Sequence, residues 1–222
     1  MGIMRGLKEM DAIINRPEYD SDRPKVRWLK LEDGQSVKIR FANELDEDSP
    51  NFDGTRSVAI VVKEHTNPKD YKRKAVDTMD TEGRDWAEEM HRQDPKAGWQ
   101  ARFRFYVNVL VDDGMEAPYM AVWSQGVGKQ SAFNSIKEYA LDTGSISNRT
   151  WRLKRVGTGV NTSYVLLPGD PDTEPFNWSN APETFDLEKS AVRHVPYAEQ
   201  ERFYLGFDTP TTTGSTTTNI DW

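Results

Sequence analysis

The run Trp99-Gln-Ala-Arg-Phe-Arg-Phe-Tyr-Val-Asn-Val-Leu-Val111 constrains this chain more than any other stretch. Side chains alternate faces along a strand, so Phe103, Phe105, Val107, Val109 and Val111 fall on one side, and Arg102, Arg104, Tyr106 and Asn108 on the other. The first is a core face. The second carries arginine, tyrosine and asparagine where a merely solvated strand would carry lysine, glutamate or threonine, and such a surface can hold phosphates and stack bases. An ordinary half-solvated strand and a nucleic-acid surface both fit this run taken alone.

The rest of the chain supplies partners for it. Val26–Leu31 and Ser36–Phe41, joined by Glu32-Asp-Gly-Gln35, read as a β-hairpin, and the nearly all-apolar run Ser57–Lys63 reads as a central strand. Asp112-Asp-Gly114 is a hairpin signal leading to Pro118–Trp123, whose Tyr119, Ala121 and Trp123 share a face. Arg149–Val156 and Thr162–Leu167 flank a glycine turn, and the packing stripe Phe133, Ile136, Tyr139 and Ala140 marks a helix over Gln130–Leu141. Seven short strands with one late packing helix predict a mainly β protein: a five-stranded Greek-key barrel of the OB type with additions.

The predicted organisation is an N-terminal arm over residues 1–24, a core over 25–168 and an acidic tail over 169–222. The arm has helical spacing at Met4, Leu7, Met10 and Ile14, suited to capping the core or reaching another copy. Within the core, residues 64–99 interrupt the β pattern as a charged insertion, with a short helix expected over Arg84–Gln93. In the tail, 169–175 reads as a linker, 196–206 as a short helix, and the Thr-rich stretch 209–219 as too polar to pack. The terminal Ile220, Asp221 and Trp222 suit a peptide hook for partner proteins.

Net charge is −7, which taken whole argues against a polyanionic partner. By segment the balance is −3 for residues 1–96, +3 for 97–168 and −7 for 169–222, so the tail holds all the excess. A neutral body with local basic faces and an acidic tail is compatible with nucleic-acid binding that the tail regulates by competing for the basic groove. The absence of cysteine excludes disulfides and thiolate metal sites. No apolar run approaches the roughly 20 residues of a membrane span, so a cytoplasmic protein is expected.

Two constellations in the insertion carry possible chemistry. Lys69, Tyr71, Lys72, Arg73 and Lys74 form a basic run with an interleaved aromatic, suited either to tracking a single-stranded backbone or to solvating a loop. His65, Asp80, Asp85, Glu88 and His91 include the side-chain types of a metal site, although in no tight ligand motif; surface charge pairing is the competing reading. Gly126-Val-Gly-Lys129 has the wrong spacing for a nucleotide loop, but Lys129 near a helix start can meet a phosphate.

In order of parts the chain resembles the single-stranded DNA-binding proteins of tailed bacteriophages, the helix-destabilising replication type. The likeness runs from the N-terminal helix through Trp28-Leu-Lys-Leu31 to Val37-Lys-Ile-Arg-Phe41 and a strand ending near His65. It continues through the insertion, the strand Arg102–Val111, the helix after Gly128, a closing hairpin and an acidic tail. The resemblance implies an OB fold and cooperative, sequence-independent binding of single-stranded DNA. It further implies self-association along DNA, a tail that recruits replication and recombination proteins, and a place in the host-cell cytoplasm. Family members often carry a zinc ribbon built from a histidine and three cysteines; here His65 remains, but the Cys-x-x-Cys position reads Asp85-Trp-Ala-Glu88. No cofactor is therefore expected, and Trp86, Met90 and Trp99 are expected to hold the insertion by packing.

On this reading Arg40, Lys63, Lys72, Arg73, Arg102, Arg104, Lys129, Arg152 and Lys154 neutralise phosphates, while Tyr71, Tyr106, Trp123 and Tyr164 offer stacking faces. The alternatives are a metal-dependent nuclease built on Asp80, Asp85, Glu88 and His91, and a phage structural or host-interaction protein without nucleic-acid affinity.

Overall fold

A computed structural model describes residues 25–115 and 117–206. The expected N-terminal helix and the hook Ile220, Asp221 and Trp222 lie outside the described residues. The chain forms an open antiparallel sheet of seven strands: β1 (Ser36–Phe41), β2 (Ile60–Asn67), β3 (Asp70–Val76), β4 (Arg102–Asp112), β5 (Tyr119–Gly126), β6 (Arg149–Val156) and β7 (Ser163–Pro171). Among the described residues four short α-helices accompany it: α1 (Met79–Glu82), α2 (Trp86–Gln93), α3 (Ala132–Thr143) and α4 (Tyr197–Leu205). None of the described helices is long and apolar enough to cross a membrane.

Strand β4 organises the sheet. Along one edge it pairs with β5 from Arg104 to Val111. Along the other it pairs first with β2, Arg102–Tyr106 against Ile60–Glu64, and then with β1, Val109–Asp112 against Lys38–Phe41. The sheet therefore forks, with β3 beyond β2 on one branch and β6 then β7 beyond β1 on the other. Asn108 sits at the fork. Its N–H donates to the Asn43 side chain at 2.7 Å and its carbonyl accepts from Ala42 N, so the backbone groups left by the change of partner are satisfied.

The expected closed barrel is not formed, because β5 and β7 do not pair. The concave face is filled by Val37, Ile39 and Phe41 from β1, Phe105 to Val111 on alternate positions of β4, Ala121 and Trp123 from β5, and Trp151 and Leu153 from β6. Helix α3 lays Ala132 and Ile136 into this core. Trp123 of β5 and Tyr164 of β7 meet edge-on at 5.7 Å across the opening. The Glu44 carboxylate pins the chain between α3 and β6, accepting from the backbone of Ile146 and Ser147 and from the Ser145 hydroxyl.

Three local expectations need correction. Residues 26–31 do not form a hairpin with β1, whose edges are both occupied by β4 and β6; they run beside β5, where Leu29 N donates to the Val122 carbonyl. The basic run Asp70–Val76 is strand β3, paired with β2. Strand β7 runs on to Pro171, through part of the expected linker.

The segment after β7 covers the convex face of β4 and β5. Leu187, Ala191 and Val192, in and after a single π-helical turn over Leu187–Ala191, pack on Tyr106 and Val122. Phe185 is held by a two-way amide bond, Asn108 Nδ2 donating to its carbonyl at 2.9 Å and its N–H donating to Asn108 Oδ1 at 3.0 Å. Helix α4 then joins the insertion, where Trp86, Trp99 and Tyr204 form an aromatic trio with ring centroids 5.3–5.9 Å apart over Ala75 and Ala87. The expected packing role of Trp86 and Trp99 is thus realised, with a partner from the far end of the chain. Ending the chain after Pro168 should abolish cooperative thermal unfolding, followed by circular dichroism, because it removes the buried Leu187, Val192, Val195, Phe203 and Tyr204 together.

Candidate nucleic-acid interface

The structure divides the sequence-derived site residues into separate groups. Tyr106 and Trp123 are fully buried and present no stacking face: Trp123 belongs to the concave core, and Tyr106 lies beneath Trp28 and the segment after β7. The apolar bulk of both rings is worth more inside the core than on the surface, and both sit where a core continues. Tyr164 is half-buried with its ring edge on Trp123.

Arg40 is buried too. Its guanidinium pairs with Asp172, donates to the Ser147 carbonyl at 3.0 Å and lies 4.4 Å from the Phe176 ring, so it anchors the chain after β7 instead of facing solvent. Arg73 is committed similarly, to Asp70 and to the Phe203 carbonyl of α4.

On the convex face, Arg104 and Lys74 converge on the buried Glu64 carboxylate at 3.3 and 3.6 Å, and the Tyr106 hydroxyl donates to the same group. Arg102, the cross-strand partner of Glu64, is exposed beside them. Arg152 and Lys154 are exposed on the same convex face but two strands away on β6, beside Val165 and Leu167 of β7. The covering segment after β7 lies between these two basic groups.

The opposite face holds an arrangement that the sequence reading did not anticipate. Register aligns Lys63, Phe103 and Val127 in one row across β2, β4 and the extension of β5, where Val127 N donates to the Phe103 carbonyl at 3.1 Å. The next row is Val61, Phe105 and Gln125. Phe105 belongs to the concave core, under Phe133 at 4.9 Å. On the other side His65 and Ala75 belong to the insertion, where His65 Nδ1 donates to the Trp99 carbonyl. Between the two packed regions the sheet face is uncovered, leaving Phe103 55 % exposed, Val61 46 % and Val127 37 %. Singly exposed apolar residues are ordinary, but a contiguous group around a phenylalanine on a sheet is the signature of a contact surface. Lys129 lies beyond Val127 on the exposed loop at one end of this strip, and Tyr71 and Lys72 are exposed on β3.

The electrostatics of the strip are asymmetric. Lys63 is tied to Asp77, Nζ to Oδ2 at 2.7 Å, with Glu88 and Asp80 also acting on it, so the insertion side is acidic and Lys63 is already paired. Of the proposed metal-binding acids, Asp85 is buried as the N-cap of α2, where it accepts from the backbone N–H groups of Glu88 and Thr78 and from Gln200. Asp80 is exposed on α1.

Burial acts to raise the Asp77 pKa, but hydrogen bonds from Lys63 and from Met79 N outweigh it and hold the carboxyl below its usual value. Lys63 is raised, first by its bond to Asp77. The sign of the pH dependence is fixed by these directions. A depressed carboxyl contributes stability present above its unfolded pKa of about 3.9 and lost as pH falls through the folded value. A raised ammonium contributes stability present below about 10.4 and lost as pH rises through its folded value. The difference in urea midpoint between the wild type and Lys63→Met is therefore expected to stay level from about pH 5 to 10 and to shrink below about pH 4.

The chain matches no protein-family model, no curated protein and no solved structure.

Proposed function

We propose that this is a non-enzymatic protein that binds single-stranded nucleic acid without sequence preference, with unpaired bases stacked on the strip centred on Phe103. The observation that carries the reading is the exposed apolar group of Val61, Phe103 and Val127, open between two packed regions and bounded by Lys129. An aromatic face that accepts any base, with cations beside it, is the recurring means of sequence-tolerant single-strand binding.

The order of strands supports it. The five strands β5-β4-β1-β6-β7, with α3 between β5 and β6, carry the pairings of an OB-type barrel except for the closing one, and such barrels bind oligonucleotides near the first long loop. That loop is here the insertion that walls the strip. The face of β4 and β5 that OB barrels commonly use is covered by Leu187 and Val192, which directs the ligand to the uncovered strip. With Asp77, Asp80 and Glu88 around Lys63, the phosphates run on the opposite side, toward Lys129.

The resemblance to phage helix-destabilising proteins fits the same function. It extends the proposal to DNA replication, recombination and repair in the host cytoplasm, with the acidic C-terminal residues recruiting partners.

A fluorescence titration with oligo-dT at several salt concentrations tests the reading. Affinity should fall with salt, with a log–log slope of roughly −0.7 per phosphate contacted. Phe103→Ala should weaken binding by about tenfold, and Lys129→Ala should weaken it while reducing the slope by about 0.7. Arg152→Ala and Lys63→Met should leave affinity near wild type. No binding at low salt, or equal affinity of wild type and Phe103→Ala, would contradict the proposal.

A further inference from the structure

The resemblance to phage helix-destabilising proteins implies a zinc ion in the insertion, and the side chains at that position admit one by type. His65, Asp77 and Glu88 offer ligand atoms within 4.8 Å of one another. The His65 ring is oriented through Nδ1 by the Trp99 carbonyl at 2.6 Å, as a metal-bound histidine commonly is.

The hydrogen bonding decides against the ion. Asp77 Oδ2 already accepts from the Lys63 ammonium at 2.7 Å and lies 3.1 Å from His65 Nε2, while Oδ1 accepts from Met79 N at 2.8 Å. Asp85 Oδ1 accepts from Glu88 N at 2.9 Å, and Oδ2 accepts from Thr78 N, the Thr78 hydroxyl and Gln200 Nε2 at 3.0–3.2 Å. Glu88 pairs with Arg92 at 3.1 Å. A dication on Asp77 would have to share Oδ2 with the Lys63 ammonium or displace it, setting two cations against each other on one carboxylate oxygen. The chain also has no cysteine to supply thiolates, the ligands that make a structural zinc site strong.

We propose that Lys63 is the resident cation of this position and that the insertion folds without metal. Lys63 reaches from β2 to Asp77 just past β3, and the next residue, Thr78, donates its N–H and its hydroxyl to Asp85 Oδ2, while the His65 ring, held through Nδ1 by the Trp99 carbonyl, lies against both carboxylates. Gln200 then ties Asp85 to α4. A single network thus connects the sheet, the start of α2 and the C-terminal helix, which is the task a structural metal performs in a small domain. The inference is independent of nucleic-acid binding.

The test uses the full chain purified without chelator. Elemental analysis should find no stoichiometric metal, and the thermal midpoint should be the same in EDTA and in added zinc. Lys63→Met should lower the midpoint by about 5 °C or more, since it leaves Asp77 buried without its cation, and Lys63→Arg should recover most of the loss. One metal ion per chain whose removal lowers the midpoint would overturn the proposal, as would a Lys63→Met protein that melts like the wild type. Should Lys63→Met fail to fold, the metal content and EDTA response of the wild type decide the question alone.

Discussion

The whole architecture depends on β4 changing partner partway along one edge. A strand of eleven residues holds β5 on one side, and β2 and then β1 on the other. At the changeover the ladder leaves backbone groups that must find partners in a dry environment. Asn108 resolves this with its own backbone bonds to Asn43 and Ala42, while its side chain fixes Phe185 and so the segment that covers the convex face. Because one strand enters two packed regions, the interval between them is a stretch of sheet that neither region covers. Phe103 lies there.

That interval was legible in principle from lengths. Helix α3 has 12 residues and spans about 18 Å, whereas the eleven residues of β4 span roughly 36 Å. One helix of that length cannot cover the apolar face of such a strand from end to end. The alternation itself placed Phe103 correctly on the core side of β4; it carried no information about where the core stops. The strands β1, β2, β4, β5, β6 and β7, the helices α2, α3 and α4, and the hairpin after Asp112 could be read from periodicity and turn chemistry. Strand β3 could not, because an edge strand with one exposed side tolerates Lys, Arg and Tyr at nearly every position.

The site residues were harder to read for a physical reason. Arginine, tyrosine and tryptophan serve equally as ligand groups and as satisfied interior groups, and only tertiary context separates the two. Arg40 found Asp172, Tyr106 found Glu64 and Lys74, and Trp123 found Phe41 and Tyr164. The decisive partners come from the segment beyond β7 or from across the fork, where sequence spacing is silent. Residues 176–192 read by composition only as part of an acidic tail, yet Phe185, Leu187, Ala191 and Val192 cover the convex face. The exposed cations Arg102, Lys72, Lys129, Arg152 and Lys154 are the part of the expected set that remains available to an external partner.

In the proposed complex an unpaired strand lies on the strip at Phe103 and not on the convex face of β6. Photocrosslinking of oligo-dT carrying 5-iodo-deoxyuridine, with mapping of the linked peptide, tests this most directly. The principal crosslink is expected in the peptide containing Phe103, with a weaker one near Lys129. A principal crosslink in the peptide containing Arg152 and Lys154, with none near Phe103, would contradict it.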